Sequence, residues 1–387
     1  MTKLEQLIKE LCPDGVEIRS LENCCNILDR KRKPVTKSAR EAGEYPYYGA
    51  NGIQDYVSDY IFDGIFILVG EDGSVITSTG NPVVTWAEGK IWVNNHAHII
   101  EQNASGDVLL RYLFHYIQTI DVTPLIHGNI PKLTGGDFRA LQIPIPPLAV
   151  QREIVWILDN FTELTAELTA ELTARKQQYA HYRNKLLKKN TKAIKMEFGD
   201  MFNFQNGFAF KSRLFKKSGN AILRIANIKE NQISTDNLPF FDEADYKEDL
   251  SQYIVRQSDI VIAMSGATTG KIGVNVTPFN FYLNQRVGKF IPKENIILNR
   301  YLYHLLLQMS GEIYAISEGG AQPNLSSEKL KKLTAYIPPI SEQKRIVKVL
   351  DRFDTLCTDL SSGLPAEIEA RQKQYEYYRD KLLEFEK

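Results

Sequence analysis

Cysteine is scarce in this chain, and what there is forms no pattern. Cys12, Cys24, Cys25 and Cys357 include no C-x-x-C pair, so neither a disulfide framework nor a zinc site is encoded. Long apolar runs are also missing. Stretches such as IFILVG (65–70) are far too short to cross a bilayer. The N-terminus, MTKLEQLIKEL, is charged and amphipathic, without the apolar centre of a secretion signal. Reduced thiols in a cytoplasmic protein are the expectation. Net charge is the third absence. The 47 basic and 47 acidic residues cancel, so a basic domain does not announce a nucleic-acid partner and any basic footprint must be local. By segment the net charge is −5 over 1–144, +4 over 145–195, +2 over 196–336 and −1 over 337–387.

Catalytic constellations are absent too. SGATTGKI (265–272) has P-loop flavour, but Gly266 and Gly270 are separated by three residues and Lys271 is followed by Ile272, where a P-loop needs four and then Ser or Thr. A strand–turn–strand is the better reading. His96-x-His98 offers two ligands with no third at metal-like spacing, so no metal site is expected. Asn81-Pro82 lacks the second proline and the aromatic of an aminomethyltransferase motif, and no glycine-rich S-adenosylmethionine loop is present. A nuclease-like pattern from Pro13-Asp14 and Glu88-Gly89-Lys90 has a gap of about seventy residues, too loose to carry meaning.

What the chain does have is repetition. IPPLAVQREIVWILDNF (145–161) matches IPPISEQKRIVKVLDRF (337–353) at an offset of 192, with nine of seventeen positions identical. RKQQYAHYRNKLL (175–187) matches RQKQYEYYRDKLL (371–383) at an offset of 196, with eight of thirteen identical. RYLFHYIQ (111–118) and RYLYHLLLQ (300–308) correspond more faintly, as do Asn95-His96 and Asn284-Gln285 and the segments 128–148 and 320–340. A consistent offset over separate blocks marks an internal duplication. Its offset grows by four across a second, shorter repeat: E-L-T-A, written three times from Glu163 to Ala174.

Short β-branched runs such as GIFILVG, SDIVIAMSG and KIGVNVT, punctuated by Gly, Asn and Asp, read as strands with tight turns. The duplicated IPP blocks open long helices, because proline disfavours helix in the residue before it. The first would run from about 150 to 189, on the order of 60 Å, with one seam through Phe161, Leu168, Arg175 and Tyr182 and another through Leu158, Thr165, Leu172, Tyr179 and Leu186. In E-L-T-A the simplest expectation turns Leu164, Leu168 and Leu172 inward. Gly363 and Pro365 should break the second helix. The expected fold is α+β: two α/β domains (1–144 and 193–336) alternating with two helical spacers (145–192 and 337–387) that pack as an antiparallel coiled coil with pseudo-twofold symmetry.

With the I-P-P lead-ins, the K-x-x-Y-x-x-Y-R-[DN]-K-L-L endings, YPYYGANG (45–52), NGFAFKS (206–212) and SDIVIAMSGATTGKIG (258–273) in this order, the chain resembles the DNA-specificity subunit of type I restriction–modification enzymes over essentially its whole length. The resemblance implies that each domain is a target-recognition domain reading half of a bipartite double-stranded DNA site. The helices would set the spacer and dock two methyltransferase (modification) subunits. The chain itself would be non-catalytic. S-adenosylmethionine, ATP and Mg would belong to the partner subunits, which methylate adenine and, as restriction/translocase subunits, cleave. Two other classes remain as alternatives: a stand-alone DNA-modifying enzyme and a coiled-coil adaptor without DNA.

On that reading the DNA-binding candidates are the basic clusters Arg30, Lys31, Arg32, Lys33 and Lys211, Arg213, Lys216, Lys217, whose competing reading is a solvated loop. The turn-adjacent Tyr48, Asn51, Asn95, Arg224, Asn227, Gln285 and Arg286 join them, since Asn and Gln suit adenine and Arg suits guanine. Core packing competes for the tyrosines. Partner-docking candidates are Pro146, Pro147, Gln151 and Ile154 with their repeats Pro338, Pro339, Gln343 and Ile346. The competing reading is that they start the helices and pack on their own domains.

Overall fold

A computed structural model describes residues 2–73, 75–188, 192–229, 231–318, 320, 323–359 and 362–385. Among them, six helices reach eight residues or more: α1 (Lys3–Leu11), α2 (Leu110–Ile117), α3 (Leu148–Leu186), α4 (Asn299–Gln308), α5 (Ile340–Thr358) and α6 (Leu364–Leu382). None is long and apolar enough to cross a membrane. The chain divides into two compact units, residues 1–167 with 368–387 and residues 168–367. Each unit therefore takes half of α3 and a helix from the C-terminal block.

The first unit is built on a six-stranded sheet, numbered along the chain β1 (Cys25–Ile27), β2 (Ala42–Gly49), β3 (Gly52–Val57), β4 (Phe62–Gly70), β5 (Val84–Val93) and β6 (Ala97–Gln102). Their spatial order is β1-β6-β4-β5-β2-β3. The GIFILVG run lies in central β4, where Ile67 and Val69 are buried against α2 and the start of α3, and Phe66 and Leu68 fill the opposite face. That two-sided burial is why the run does not alternate with polar residues.

The second unit holds two larger sheets, beside a two-stranded pairing of Ile194–Glu197 with Thr334–Ile337. The strands of the larger sheets are β7 (Phe202–Asn206), β8 (Asn220–Leu223), β9 (Ile228–Lys229), β10 (Gln232–Ile233), β11 (Phe240–Phe241), β12 (Ile254–Val255), β13 (Ile260–Ala263), β14 (Ile272–Val274), β15 (Phe281–Leu283) and β16 (Val287–Pro292). One sheet runs β7-β16-β13-β14-β10-β9, the other β11-β8-β15-β12. SGATTGKI is the strand–turn–strand expected, linking β13 to β14 through a short turn at Gly266–Thr268.

α3 is one uninterrupted helix of 39 residues. The C-terminal block is broken at Gly363, where a Cβ would lie 2.6 Å from the carbonyl oxygen of Asp359, so only glycine fits the close approach. In the first unit Phe161 stacks on Tyr378, and in the second Tyr179 and Tyr182 stack on Phe353. As α3 advances its stacked partner retreats along the sequence, the antiparallel order.

The tetrapeptide array departs from the simplest expectation. Leu168 and Leu172 are half-buried, but Leu164 is 45% exposed and Thr165 takes the inward place. A four-residue repeat drifts against a 3.5-residue seam, so no single column of leucines can stay inside. The threonines are tolerated because their hydroxyls donate back along the helix, Thr165 to Phe161 O at 2.8 Å and Thr173 to Thr169 O at 3.0 Å.

Candidate nucleic-acid interface

In the first unit, three segments distant in sequence meet at one end of the sheet. The amide of Asn94, at the β5–β6 turn, donates to Tyr48 O at 3.1 Å, next to the β2–β3 turn. The side chain of Asn94 donates to Gln54 at 3.3 Å and accepts from the His96 amide at 2.8 Å. The basic segment is held alongside: Lys33 N donates to Val93 O at 3.2 Å and the Trp92 indole donates to Lys33 O at 2.7 Å. Arg30, Lys31, Lys33, Asn51 and Asn95 are thereby brought together at one edge, all exposed. Asn94, buried at 2%, organises the turn and escaped the sequence reading; its neighbour Asn95 carried the only signal.

Two candidates here are corrected. Tyr48 is 7% exposed and belongs to the core, as the competing reading had it. Arg32 is not a free cation: its guanidinium donates to Glu71 at 2.6 Å, to Ala97 O at 2.6 Å and to Asp29 O at 2.8 Å. Asp29, Glu71 and His98 do bring three ligand-type atoms within 4.8 Å of one another. Their valences are used by the protein, however. His98 engages Asp29 at 2.7 Å and Leu133 O at 3.1 Å and lies flat on Phe138, while Arg32 and Lys132 pair with Glu71. Burial works to raise the Asp29 carboxyl, but the His98 bond and the charges beside it hold it below the usual range. This network fastens the basic segment to β6.

The second unit repeats the arrangement with different side chains. The amide of Asn284, at the β15–β16 turn, donates to Leu223 O at 3.1 Å. The registers agree: β2 and β5 pair in parallel through Tyr47↔Trp92 and Tyr48↔Val93, and β8 and β15 through Ile222↔Tyr282 and Leu223↔Leu283. At this turn Gln285 and Arg286 are exposed, with Arg224 half-buried beside them. The NGF segment closes in so tightly that a Cβ on Gly207 would sit 1.9 Å from Asn284 O, which accounts for that glycine. Lys211, Arg213 and Lys217 are exposed in the segment that follows.

Asn227 and Lys216 are corrected. Asn227 is 2% exposed, accepting from Arg224 N at 3.2 Å and donating to Asp236 O at 2.7 Å, so its side chain ties a loop and is not presented at the surface. Lys216 pairs with Asp242 and Asp245, which hold its ammonium pKa up and neutralise it. These acidic partners stand too far along the chain for local reading to pair them.

The docking candidates need the largest revision. Pro146, Gln151, Ile154, Pro338, Gln343 and Ile346 are buried within their own units; of the set only Pro147 and Pro339 are exposed. Gln151 accepts from Leu109 N at 2.8 Å and donates to Asp107 O and Pro146 O at 2.9 and 2.8 Å. Gln343 accepts from Leu298 N at 2.9 Å and donates to Ile296 O and Pro338 O at 2.8 and 2.9 Å. Both glutamines pin the start of a short helix to the start of a long one. What α3 presents outward instead is Trp156, 62% exposed.

A second duplicated feature locks each unit. His115 bonds Asp159 at 2.7 Å and the Tyr375 hydroxyl at 3.1 Å; His304 bonds Asp351 at 2.8 Å and the Tyr179 hydroxyl at 2.8 Å. The tyrosines are exchanged: the histidine of one repeat meets the tyrosine of the other. Burial holds both histidines below their ordinary 6.5, outweighing the pull of the aspartates. Below that value the unfolded chain binds more protons than the native one, so stability is lost as pH falls through 6.5 and is unaffected by these groups well above it. Thermal melts are expected flat between about pH 7.5 and 8 and falling below about pH 6.5, with His304→Gln removing part of the fall. A melting temperature constant down to about pH 5.5 would contradict this.

Over residues 13–175 and 191–370 the chain matches the type I restriction modification DNA specificity domain. It is 37% identical over 407 aligned positions to a Haemophilus influenzae protein described as a type I restriction enzyme specificity subunit, covering 99% of this chain and 98% of that one. To the EcoR124I/EcoR124II type I specificity subunit of Escherichia coli it is 33% identical over 293 positions, 72% of either chain. Among solved structures, the S subunit of a type I restriction–modification system from M. genitalium shares the fold with a TM-score of 0.60 at 16% identity, over 96% of this chain and 97% of that one. A chain from a study of complex assembly in a type I system superposes at 0.56 with 15% identity, over 96% and 98%.

Proposed function

Because the chain belongs to the type I restriction modification DNA specificity family, we propose that each of its two reading ends recognises one half of a split double-stranded DNA site. It is the non-catalytic specificity subunit of the complex, and the stand-alone enzyme and adaptor readings give way to this one. Two methyltransferase subunits would dock on the outer helical surface, near Pro147, Pro339 and Trp156, all exposed, and bring S-adenosylmethionine. Restriction subunits would bring ATP and Mg, in the cytoplasm where the DNA is.

The observation that carries the reading is the repeated turn. One backbone bond, Asn94 to Tyr48 and Asn284 to Leu223, recurs at 3.1 Å, and it displays Asn51 and Asn95 in one unit and Gln285 and Arg286 in the other. Equal scaffolds with unequal tips suit two different half-sites. The test is methylation mapping in cells expressing the chain with its methyltransferase. Arg286→Ala is expected to relax one half-site at one position, costing about 1–3 kcal/mol of discrimination there, and Asn95→Ala to affect the other half alone. Finding no split motif, or a change in both halves from one substitution, would overturn the proposal.

A further inference from the structure

The SGATTGKI loop lacks the spacing of a P-loop, yet its last residues line a cavity. About 340 Å³ in volume, the cavity is walled by Arg183 at the end of α3, by Asn231, by Thr269, Gly270 and Lys271, and by Ser310 after α4. Among the described residues no carboxylate lines it. The loop that lines it adjoins the reading end of the second unit: Met264 N, at the head of the loop, donates to Arg286 O at 2.8 Å, and Gly266 lies against Ile225 beside Arg224.

Its two cations are unneutralised. Among the described residues no ion pair reaches Arg183 or Lys271, and Arg183 Nε is buried with no acceptor. The repeated residue shows what is missing. Arg379, in the matching Y-Y-R motif, gives Nε and Nη2 to Asp380 at 2.9 and 2.8 Å; after Arg183 the chain has Asn184. The guanidinium is also held in place, 5.2 Å over the Tyr179 ring, whose hydroxyl is fixed by His304. A buried donor without an acceptor costs free energy, and an anion entering the cavity removes that cost by drawing the guanidinium to it. A phosphate oxygen is the matching acceptor for a planar guanidinium and an ammonium that line one cavity.

We infer that Arg183 and Lys271 form a pocket for a backbone phosphate of the DNA beside the second half-site, so that the strut itself, and not only the recognition loops, grips the duplex. This rests on the DNA-reading function proposed above. It assigns a positioning role, because phosphate contacts set register and carry no sequence information.

The test is equilibrium binding of the full chain, assembled with its methyltransferase subunits, to cognate and scrambled duplexes over a range of salt. Lys271→Ala and Arg183→Gln are each expected to weaken both duplexes alike, by about five- to tenfold, and to lower the salt slope by about 1. The methylated motif should stay unchanged. Lys271 sits in an exposed loop, so its variant stays informative even where Arg183→Gln folds poorly. A scan of neutral methylphosphonate linkages should find one position that weakens wild type but not Lys271→Ala. An unchanged salt slope in Lys271→Ala with the split motif still read overturns the pocket and spares the function. Loss of methyltransferase assembly with DNA affinity intact in the assembled fraction also overturns it, making the occupant a protein carboxylate. Wild-type protein that reads no split site sinks the function itself.

Discussion

Deleting one E-L-T-A unit, residues 167–170, is expected to shorten the unspecified spacer of the DNA site by one or two base pairs and to leave both half-sites unchanged. The array lies inside α3, a single helix from Leu148 to Leu186, so its length sets a distance along that helix. Each unit contributes ~6 Å and a rotation of ~40° beyond a full turn, against ~3.4 Å per base-pair step. From Thr162 to Gln178 no side chain is fully buried, so the deletion removes little core. Four residues is also the smallest step that keeps the seam nearly facing its partner. Removing two residues turns the following helix by ~200° and should abolish activity. On the original site, a single-unit deletion should reduce methylation by about a hundredfold or more, given how steeply misplacement costs rate. Methylation mapping of the deletion and of a fourth-unit insertion decides it. An altered half-site, or an unchanged spacer, would sink the ruler.

Gln343→Ala is expected to destabilise the second unit by about 2–4 kcal/mol, with Gln151→Ala doing the same to the first. Each side chain is fully buried and serves three backbone groups: Leu298 N, Ile296 O and Pro338 O for Gln343, Leu109 N, Asp107 O and Pro146 O for Gln151. Truncation strands all three without water, and that desolvation exceeds the worth of the bonds themselves. Denaturant unfolding of the full chain, with limited proteolysis to show which unit opens, measures it. The result separates two roles for these repeats. A docking surface predicts lost methyltransferase assembly at unchanged stability; a tie within the unit predicts lost stability, and assembly retained in whatever fraction stays folded. A loss below about 1 kcal/mol would refute the tie.

Several features were legible because their causes are local. The duplication shows as identity at an offset, and α3 follows from strong helix formers between a Pro-Pro step and the end of the Y-R-N-K-L-L motif. The break at Gly363 needed only the poor helix tolerance of Gly and Pro. Four turn positions named from sequence, Asn51, Asn95, Gln285 and Arg286, are exposed where expected, because turn chemistry is written in neighbouring residues.

What failed was the assignment of free surface. Arg32, Lys216, Tyr48 and Asn227 have side chains suited to DNA, and Gln151 and Gln343 recur like a docking motif, yet all but Lys216 are buried or closed off by partners elsewhere in the fold and Lys216 is paired with two aspartates. Residue type sets what a group can do; its neighbours set whether it is available. Glu71 lies 39 positions from Arg32, Leu298 45 from Gln343 and His304 125 from Tyr179, and nothing local marks such pairs. The sequence by itself determined the repeat, the strut and the family resemblance, all of which follow from local propensity and period. Only the tertiary structure decided which cations remain unpaired, because charge neutralisation and burial depend on side chains that meet across tens to more than a hundred residues of chain. Arg183 and Arg379 carry the same motif, and one neighbour, Asn184 or Asp380, together with the surrounding fold, separates a guanidinium whose Nε has no acceptor among the described residues from one whose Nε is satisfied.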